Sequence, residues 1–167
     1  MTALSKISRL WGLFTGLIVI GIITYFILLW YTSQSITAEI KSIENVKYSL
    51  INNRLETCFK LQVNNSGPID VVIEKIYYKV YINNKYLGEG VKENIMIERG
   101  ENNIDICLSS KSKDIINSIL STLKGRGKVN VTVKGYIEVP IKSFGVIKLW
   151  TLQLPYEETV EVEFKRI

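Results

Sequence analysis

Histidine is absent from this chain of 167 residues, and this limits the chemistry that its other reactive side chains can do. Without an imidazole, the usual general base near neutral pH, the common catalytic triads and the commonest transition-metal ligand are all missing. The two cysteines, Cys58 and Cys107, cannot close a structural zinc site without further thiolate or imidazole ligands. We therefore expect no metal and no other cofactor.

Carboxylates are the only abundant candidates for acid–base catalysis. Four of them lie close together near the C-terminus: Glu157, Glu158, Glu161 and Glu163. Catalytic carboxylate pairs need a cleft that raises the pKa of one partner, and an alternating segment gives no reason to expect one. The glycine-rich stretches 88–90 and 125–127 lack the spacing of a phosphate-binding loop. The sequence therefore predicts no catalytic residues and no enzymatic activity.

The cysteines fit a structural role better. Both Cys58 and Cys107 occupy outward positions of alternating segments, so they can lie side by side on the outer face of one sheet. A cross-strand disulfide then forms in an oxidising compartment. Because strand adjacency is not visible in sequence, two free thiols and pairing between chains remain open alternatives.

Asparagine and tyrosine supply two further candidate sites. The sequons Asn64-Asn65-Ser66 and Asn130-Val131-Thr132 are candidate N-glycosylation sites if the domain is extracellular, and Asn64, in a predicted loop, is preferred. Four tyrosines cluster around a predicted hairpin: Tyr77, Tyr78, Tyr81 and Tyr86. Tyr78 is expected in the core. Tyr77 and Tyr81 are expected to be exposed together, either as a binding patch or, more simply, as cross-strand pairs.

These residues lie on segments whose apolar side chains alternate with polar ones, a pattern typical of β-strands. The predicted strands are 59–63, 71–82, 85–87, 95–97, 104–108, 129–139, 146–154 and 159–164, with an earlier one within 37–51. Turns follow at Asn83-Asn84 and between Arg99 and Asn102. About seven strands with frequent turns predict a mainly β, antiparallel β-sandwich of fibronectin III or immunoglobulin-like form.

A short amphipathic helix interrupts the strands. In the segment 112–124 five apolar residues share one helical face, Ser112 is a candidate N-cap and Gly125 a stop signal. We expect this helix to cover one end of the sandwich. The alternative is a helix that lies on the membrane surface or on a partner.

The N-terminal segment decides where the sandwich lies. Residues 10–31 are almost entirely apolar, and a 22-residue helix is about 33 Å long, enough to cross a hydrocarbon core of about 30 Å. Lys6 and Arg9 precede it, which predicts a cytoplasmic N-terminus and a single-pass protein of the cell membrane. A cleaved signal peptide is the alternative, but its apolar region is normally about 7–15 residues long.

The predicted organisation is therefore a cytoplasmic N-terminus (1–9), a transmembrane helix (10–31), a linker (32–36) and an extracytoplasmic β-sandwich domain (37–167). Gly12 and Gly16 form a Gly-x-x-x-Gly pair, a candidate contact for self-association or a protein partner in the membrane. The formal net charge is +5, but the basic residues do not cluster into a stripe, so no nucleic-acid partner is expected.

The stretch from Phe59 to Gly90 resembles the core of the late embryogenesis abundant (LEA) type 2 family, also called the water stress and hypersensitive response (WHy) domain. The likeness lies in a strand ending in an Asn-Pro-like turn, an Ile-x-x-Ile-x-Tyr-x-Val-Tyr strand, and an Asn-containing turn before Leu-Gly-x-Gly. These correspond to Asn64, Asn65 and Pro68; to Ile73, Ile76, Tyr78, Val80 and Tyr81; and to Asn83, Leu87, Gly88 and Gly90. Ser66 and Gly67 separate Asn65 from the proline, which departs from the family pattern.

The resemblance covers about residues 37–164 and implies a seven-stranded sandwich with one helix, in a family found in plants, bacteria and archaea. It implies desiccation and stress tolerance, membrane anchoring in some members, and no catalytic residues. The leading hypothesis is thus a non-enzymatic, membrane-anchored protective or interaction module. The alternatives are an accessory subunit of a membrane or cell-envelope complex and, more remotely, a lipid-binding or transfer domain.

Overall fold

The structure, a computed structural model, describes residues 3–122, 127–143 and 147–166, and in them two helices and eight strands. In chain order they are α1 (Ala3–Gln34), β1 (Ile36–Ile43), β2 (Val46–Ser49), β3 (Arg54–Asn65), β4 (Val71–Ile82), β5 (Lys85–Ile97), β6 (Gly100–Ser110), α2 (Lys113–Leu120), β7 (Lys128–Ser143) and β8 (Ile147–Arg166). The predicted mainly β fold with an apolar N-terminal helix is confirmed.

The strands form two layers around one core. In the first layer β3 pairs with β6 along one side and with β1 and β2 along the other. The second layer has the order β5-β4-β7-β8. All these pairs are antiparallel, as expected. The end of β8 differs, because it runs past the start of β7 and pairs in parallel with β2, so the two layers join there.

Strict alternation in β3 and β4 builds the core. Phe59, Leu61 and Val63 of β3 are at most 1% exposed, while the residues between them reach the outer face. In β4 the row Ile76, Tyr78, Val80 and Ile82 points inward, and the Tyr78 ring meets the Phe59 ring edge-on at 5.7 Å. The two layers therefore pack directly against each other through apolar side chains.

Several predicted strands are longer than the sequence indicated. The two C-terminal segments are one strand, β8, which passes through Pro155. A proline there costs little, because β8 pairs with β7 on one side and reaches β2 only at its last residues, so the missing N–H faces no partner strand. The region 37–51 conversely contains two strands, β1 and β2. The hairpin at Asn83-Asn84 is confirmed, with φ values of 47° and 62°.

Helix α2 covers the end of the sandwich opposite α1. It follows the last residue of β6, and its apolar face inserts Ile116 and Ile119 into the core, where each is at most 1% exposed. This supports the expectation that the helix covers one end of the sandwich. Ser112 occupies the N-cap position without a side-chain capping bond. The predicted stop at Gly125 lies outside the described residues.

Helix α1 meets the sandwich almost without a linker. It ends at Gln34, and β1 begins at Ile36, so Ser35 alone separates them. The segment Phe14–Tyr31 has a mean hydropathy of 2.1 and is 6% buried. By length and composition it qualifies as a membrane anchor or a signal sequence. The domain boundaries within this region stay predictions.

Candidate functional site

The outer face of the second layer carries a groove of about 800 Å³ that crosses all four of its strands. Its lining consists of three successive cross-strand rows of four residues each. The first row is Val91, Tyr77, Tyr136 and Pro155; the second is Gly90, Tyr78, Gly135 and Tyr156; the third is Glu89, Lys79, Lys134 and Glu157. No residue of the first layer takes part, so the groove opens on the solvent side of the sheet.

The middle row forms the floor, because none of its side chains points outward. Tyr78 and Tyr156 are buried, and Gly90 and Gly135, which alternate with them along the row, carry no side chain. A Cβ added at Gly135 would overlap the backbone oxygen of Tyr77 and lie 2.8 Å from the Tyr156 hydroxyl. A Cβ added at Gly90 would overlap the Tyr78 hydroxyl. Both glycines are therefore required for these strands to pack against the two tyrosines.

Tyr156 ties the floor together. Its hydroxyl crosses Gly135 and donates a 2.9 Å hydrogen bond to the backbone oxygen of Tyr77, two strands away. Burial raises the pKa of Tyr156 above its ordinary range, because the phenolate would lose its hydration. Burial likewise raises the pKa of Tyr78. Both rings thus stay neutral at neutral pH, and the Tyr156 hydroxyl acts as a donor inside the sheet.

The two walls differ in chemistry. On one side Tyr77 stacks on Tyr136, with ring centroids 4.6 Å apart and planes at 25°, between Val91 and Pro155. On the other side stand two acids and two lysines, Glu89, Lys79, Lys134 and Glu157, so that wall carries both signs in equal number. Lys79 pairs with Glu89 at 3.3 Å, and this bond raises the pKa of Lys79.

This arrangement can bind but is poorly suited to catalysis. Glu89 is 57% exposed at its side chain and already paired with a lysine, whereas a general acid needs a desolvated carboxyl. The tyrosine wall offers apolar area together with hydroxyl groups, and the opposite wall offers donors and acceptors without net charge. The groove therefore fits an extended, uncharged polar segment better than an ion.

The prediction for the tyrosine cluster is confirmed for Tyr78, which is in the core. Tyr77 and Tyr81 lie on the outer face as expected but are half-buried, because each makes a cross-strand pair, Tyr77 with Tyr136 and Tyr81 with Tyr86 at 5.7 Å. Lys134 also lies 4.8 Å from the Tyr81 ring centroid. Of the cluster, Tyr77 alone stands in the tyrosine wall of the groove.

The structure joins Cys58 and Cys107 in a disulfide with an S–S distance of 2.09 Å. Cys58 of β3 and Cys107 of β6 lie directly opposite each other. The Cys58 carbonyl accepts a bond from the Glu44 N–H on the other side of β3, so the two cysteines form a non-hydrogen-bonded pair, which is the closer type. Their Cα atoms are 4.0 Å apart. The Glu56 carboxylate lies near both sulfurs, but two sulfurs bonded to each other offer no thiolate to a metal.

The preference for Asn64 over Asn130 as the accessible glycosylation site is reversed by the structure. The predicted loop at Asn64 is wrong, because β3 continues through Asn65, and Asn64 is half-buried between partners in β1 and β6. The reason is that Asn65 turns inward and supports the loop itself: its side chain accepts a bond from the Gly67 N–H and donates one to the Ile69 carbonyl. Asn130 is exposed near the start of β7 and is the more accessible site.

The Gly12/Gly16 pair stays a prediction. Both glycines lie on α1, and no atom lies within 4 Å of a Cβ added at either. Their face of the helix is therefore open in the single chain. The four C-terminal carboxylates are all exposed along β8, where Glu161 pairs with Lys128 at 3.2 Å and Glu163 with Lys165 at 3.6 Å.

The sequence does not predict the groove, although it predicts the strands that supply two of its sides. The segments 77–79 and 134–136 each read as strand, but only the register places Tyr77 beside Tyr136 and Lys79 beside Lys134. The role of Tyr156 depends on a contact between residues 79 positions apart. The one local hint was the isolated glycine at 135 inside a strand pattern, which indicates a close backbone approach.

The described residues form a two-layer β-sandwich that follows an apolar helix, and the sandwich fold is shared with a solved structure. The solution structure of AT1g01470 from Arabidopsis thaliana matches with a TM-score of 0.58 and 12% identity, over 78% of this chain and 82% of that chain. The structure of At2g46140.1, a provisionally assigned LEA protein, matches with a TM-score of 0.49 and 10% identity over 89% of each chain.

At this level of identity the likeness to AT1g01470 shows a shared fold and nothing further. The sequence matches no family model and no curated protein. The chain is thus similar in architecture to this plant protein, and its activity has to be argued from its own site.

Proposed function

We propose that this protein is a membrane-anchored, non-catalytic interaction module whose β-sandwich lies on the extracytoplasmic side. The observation that carries the proposal is the direct continuity of the exposed apolar helix α1 with β1. In water that helix would expose a contiguous apolar surface, which soluble monomers avoid. Lys6 and Arg9 at its N-terminal side favour retention of that side in the cytoplasm.

The groove is the contact site of the module. Its balanced charges and tyrosine wall favour an extended, hydroxyl-rich or amide-rich segment of an envelope component, held by hydrogen bonds and aromatic contact. The absence of histidine from the sequence and the exposed, paired state of Glu89 support binding without turnover. Such contact is compatible with the stress and desiccation role that the LEA type 2 resemblance implies.

The alternatives have less support. A lipid carrier needs space between the layers, where Phe59, Ile76 and Val80 are at most 1% exposed. An accessory subunit of an envelope complex would keep a stoichiometric partner during purification in mild detergent, whereas the interaction module is expected to purify without one.

Survival of cells tests the proposed role of the groove. Cells that carry the gene are compared with deletion cells complemented by the wild type, by Tyr77→Ala/Tyr136→Ala, or by Tyr86→Ala, and survival is counted after drying and after hyperosmotic shock. Tyr86 is the matched control, since it is an exposed tyrosine of the same layer outside the groove lining. We expect the wild type and Tyr86→Ala to restore survival and the double variant to fail at equal membrane abundance.

Two results would count against the proposal. Full rescue by Tyr77→Ala/Tyr136→Ala would remove the groove from the function. Unchanged survival of the deletion cells under both treatments would remove the stress role.

A further inference from the structure

One end of the sandwich, where several strands begin or end, lies beside the junction with α1. Ser66 donates two bonds to the Ser35 carbonyl, from its N–H at 3.1 Å and from its hydroxyl at 2.9 Å. Asn65 pairs with both Ile36 and Gly100, so β1 and β6 start where β3 ends. The start of β4, the end of β5, the end of β7 and the start of β8 lie at the same end, because β4 runs antiparallel to β5 and β7, and β7 to β8.

This end carries apolar side chains that the core does not bury. We call them the rim: they are Met96 (67% exposed), Ile69 (49%), Val72 (42%), Leu149 (38%) and Trp150 (38%). Val72 and Met96 are direct partners of β4 and β5. Three exposed basic residues lie at this end, Arg99, Lys142 and Lys148, of which Lys148 pairs with Glu74 at 2.8 Å. Exposed acids lie there as well: Asp70, Glu98 and Glu101. Tryptophan and aliphatic side chains among charged groups suit a surface that meets the membrane interface.

The last turns of α1 pack against the domain. Leu29 is 5% exposed and belongs to the core cluster, and Tyr25, one turn earlier on the same face, packs against it. At a rise of about 1.5 Å per residue, Tyr25 lies roughly 9 Å nearer the N-terminus than Tyr31 along the helix axis. Leu29 therefore joins the last turn of the helix to the core of the sandwich.

The charges at the N-terminal side fix how far the helix can shift in a bilayer. A hydrocarbon core of about 30 Å takes about 20 residues, and a span that starts after Arg9 ends near Leu29. Moving the helix outward would draw Arg9 towards hydrocarbon, which charged side chains disfavour. With Leu29 at the end of the span, the core residues that pack on it lie at the outer boundary of the hydrocarbon core.

We infer that the rim is a second membrane contact, at which the sandwich rests in the headgroup and upper acyl region of the bilayer that holds α1. Trp150 suits this position, since its ring buries apolar area while its N–H reaches polar groups. Arg99 and Lys142 meet lipid phosphates, while Lys148 stays paired with Glu74. The contact rests on the proposed anchoring. It leaves the groove away from the rim, because Tyr77 lies five residues beyond Val72, about 17 Å along β4.

Tryptophan fluorescence tests this inference in the full chain, reconstituted in phosphatidylcholine vesicles with lipids brominated near the headgroup end of the acyl chain. The chain has three tryptophans, and Trp11→Phe/Trp30→Phe leaves Trp150 alone. The matched control is Trp11→Phe/Trp30→Phe/Trp150→Phe/Ile51→Trp, because Ile51 is 93% exposed in the turn before β3, at the opposite end of the sandwich. We expect Trp150 to emit at shorter wavelength and to be quenched about twofold, as befits a ring 5–10 Å into the boundary, and the tryptophan at 51 to be unaffected.

A third variant, Trp11→Phe/Trp150→Phe, reports on the anchor through Trp30. If Trp30 is quenched and Trp150 matches the tryptophan at 51, the rim contact is overturned while the anchor stands. If Trp30 is not quenched either, the anchor fails, and with it the proposed function.

Discussion

A buried asparagine organises the loop beside the helix junction. Asn65 is 0% exposed, and its side chain bonds the Gly67 N–H at 3.1 Å and the Ile69 carbonyl at 2.9 Å. These bonds satisfy backbone groups that the loop would otherwise leave unpaired next to the core. The residue therefore links the end of β3 to the start of β4.

Replacing Asn65 with alanine is expected to lower the free energy of unfolding by about 1–3 kcal/mol, because both backbone groups lose their partner. Chemical denaturation in detergent measures it. Asn64→Ala is the matched control at the outward-facing neighbour, where a change of no more than about 0.5 kcal/mol is expected. Equal effects of the two variants would contradict the conclusion that the Asn65 side chain stabilises this loop.

Tyr156 predicts an alkaline limit to stability. Burial raises its pKa in the folded protein, so on raising the pH through about 10 the unfolded chain loses this proton first, and the free energy of unfolding falls. Tyr156→Phe removes this ionisation, and we expect its stability to decline less steeply above pH of about 10. At neutral pH the variant should be about 1 kcal/mol less stable, since the bond to the Tyr77 carbonyl is lost. Denaturation curves at several pH values measure both effects. The explanation would be refuted if the free energy of unfolding of the wild type and of Tyr156→Phe declined equally steeply at alkaline pH.

At the scale of elements, the disulfide fastens two strands that already pair. Cys58 and Cys107 are 49 positions apart in sequence, so the bond closes a long loop in the unfolded chain. Reduction, or Cys58→Ala/Cys107→Ala, is expected to lower the free energy of unfolding by up to about 4 kcal/mol. Denaturation of the oxidised and reduced protein measures it, with the double variant as a control that reductant should leave unchanged. Identical stability of the oxidised and reduced forms would contradict this role.

The elements themselves were largely predictable, and their limits were not. Alternation in β3 and β4 identified both strands and their inward faces, since side-chain period depends only on local geometry. The sequence predicts two strands, 146–154 and 159–164, on either side of Pro155, because it does not show that β8 has a partner strand on one side only at this point. The parallel pairing of β8 with β2 likewise depends on where the chain end meets the other layer.

At the scale of the whole molecule, the candidate site arises from register. The sequence predicts the strands 71–82 and 129–139 and points to Tyr77, but only the pairing of residues some 57 positions apart places Tyr77 and Lys79 beside Tyr136 and Lys134 in one groove. Loop lengths and turn residues do not specify that offset. The apolar helix, in contrast, could be predicted from composition alone, because the hydropathy of a segment does not depend on which other residues it contacts.

The orientation of the chain across the membrane is the central claim, and protease access to intact cells tests it most directly. Each terminus carries an epitope tag in turn, and a non-permeating protease is added before and after the cells are opened. The account predicts that the C-terminal tag is removed from intact cells and that the N-terminal tag is removed only after opening, while both forms sediment with membranes. A C-terminal tag that survives until the cells are opened would contradict it.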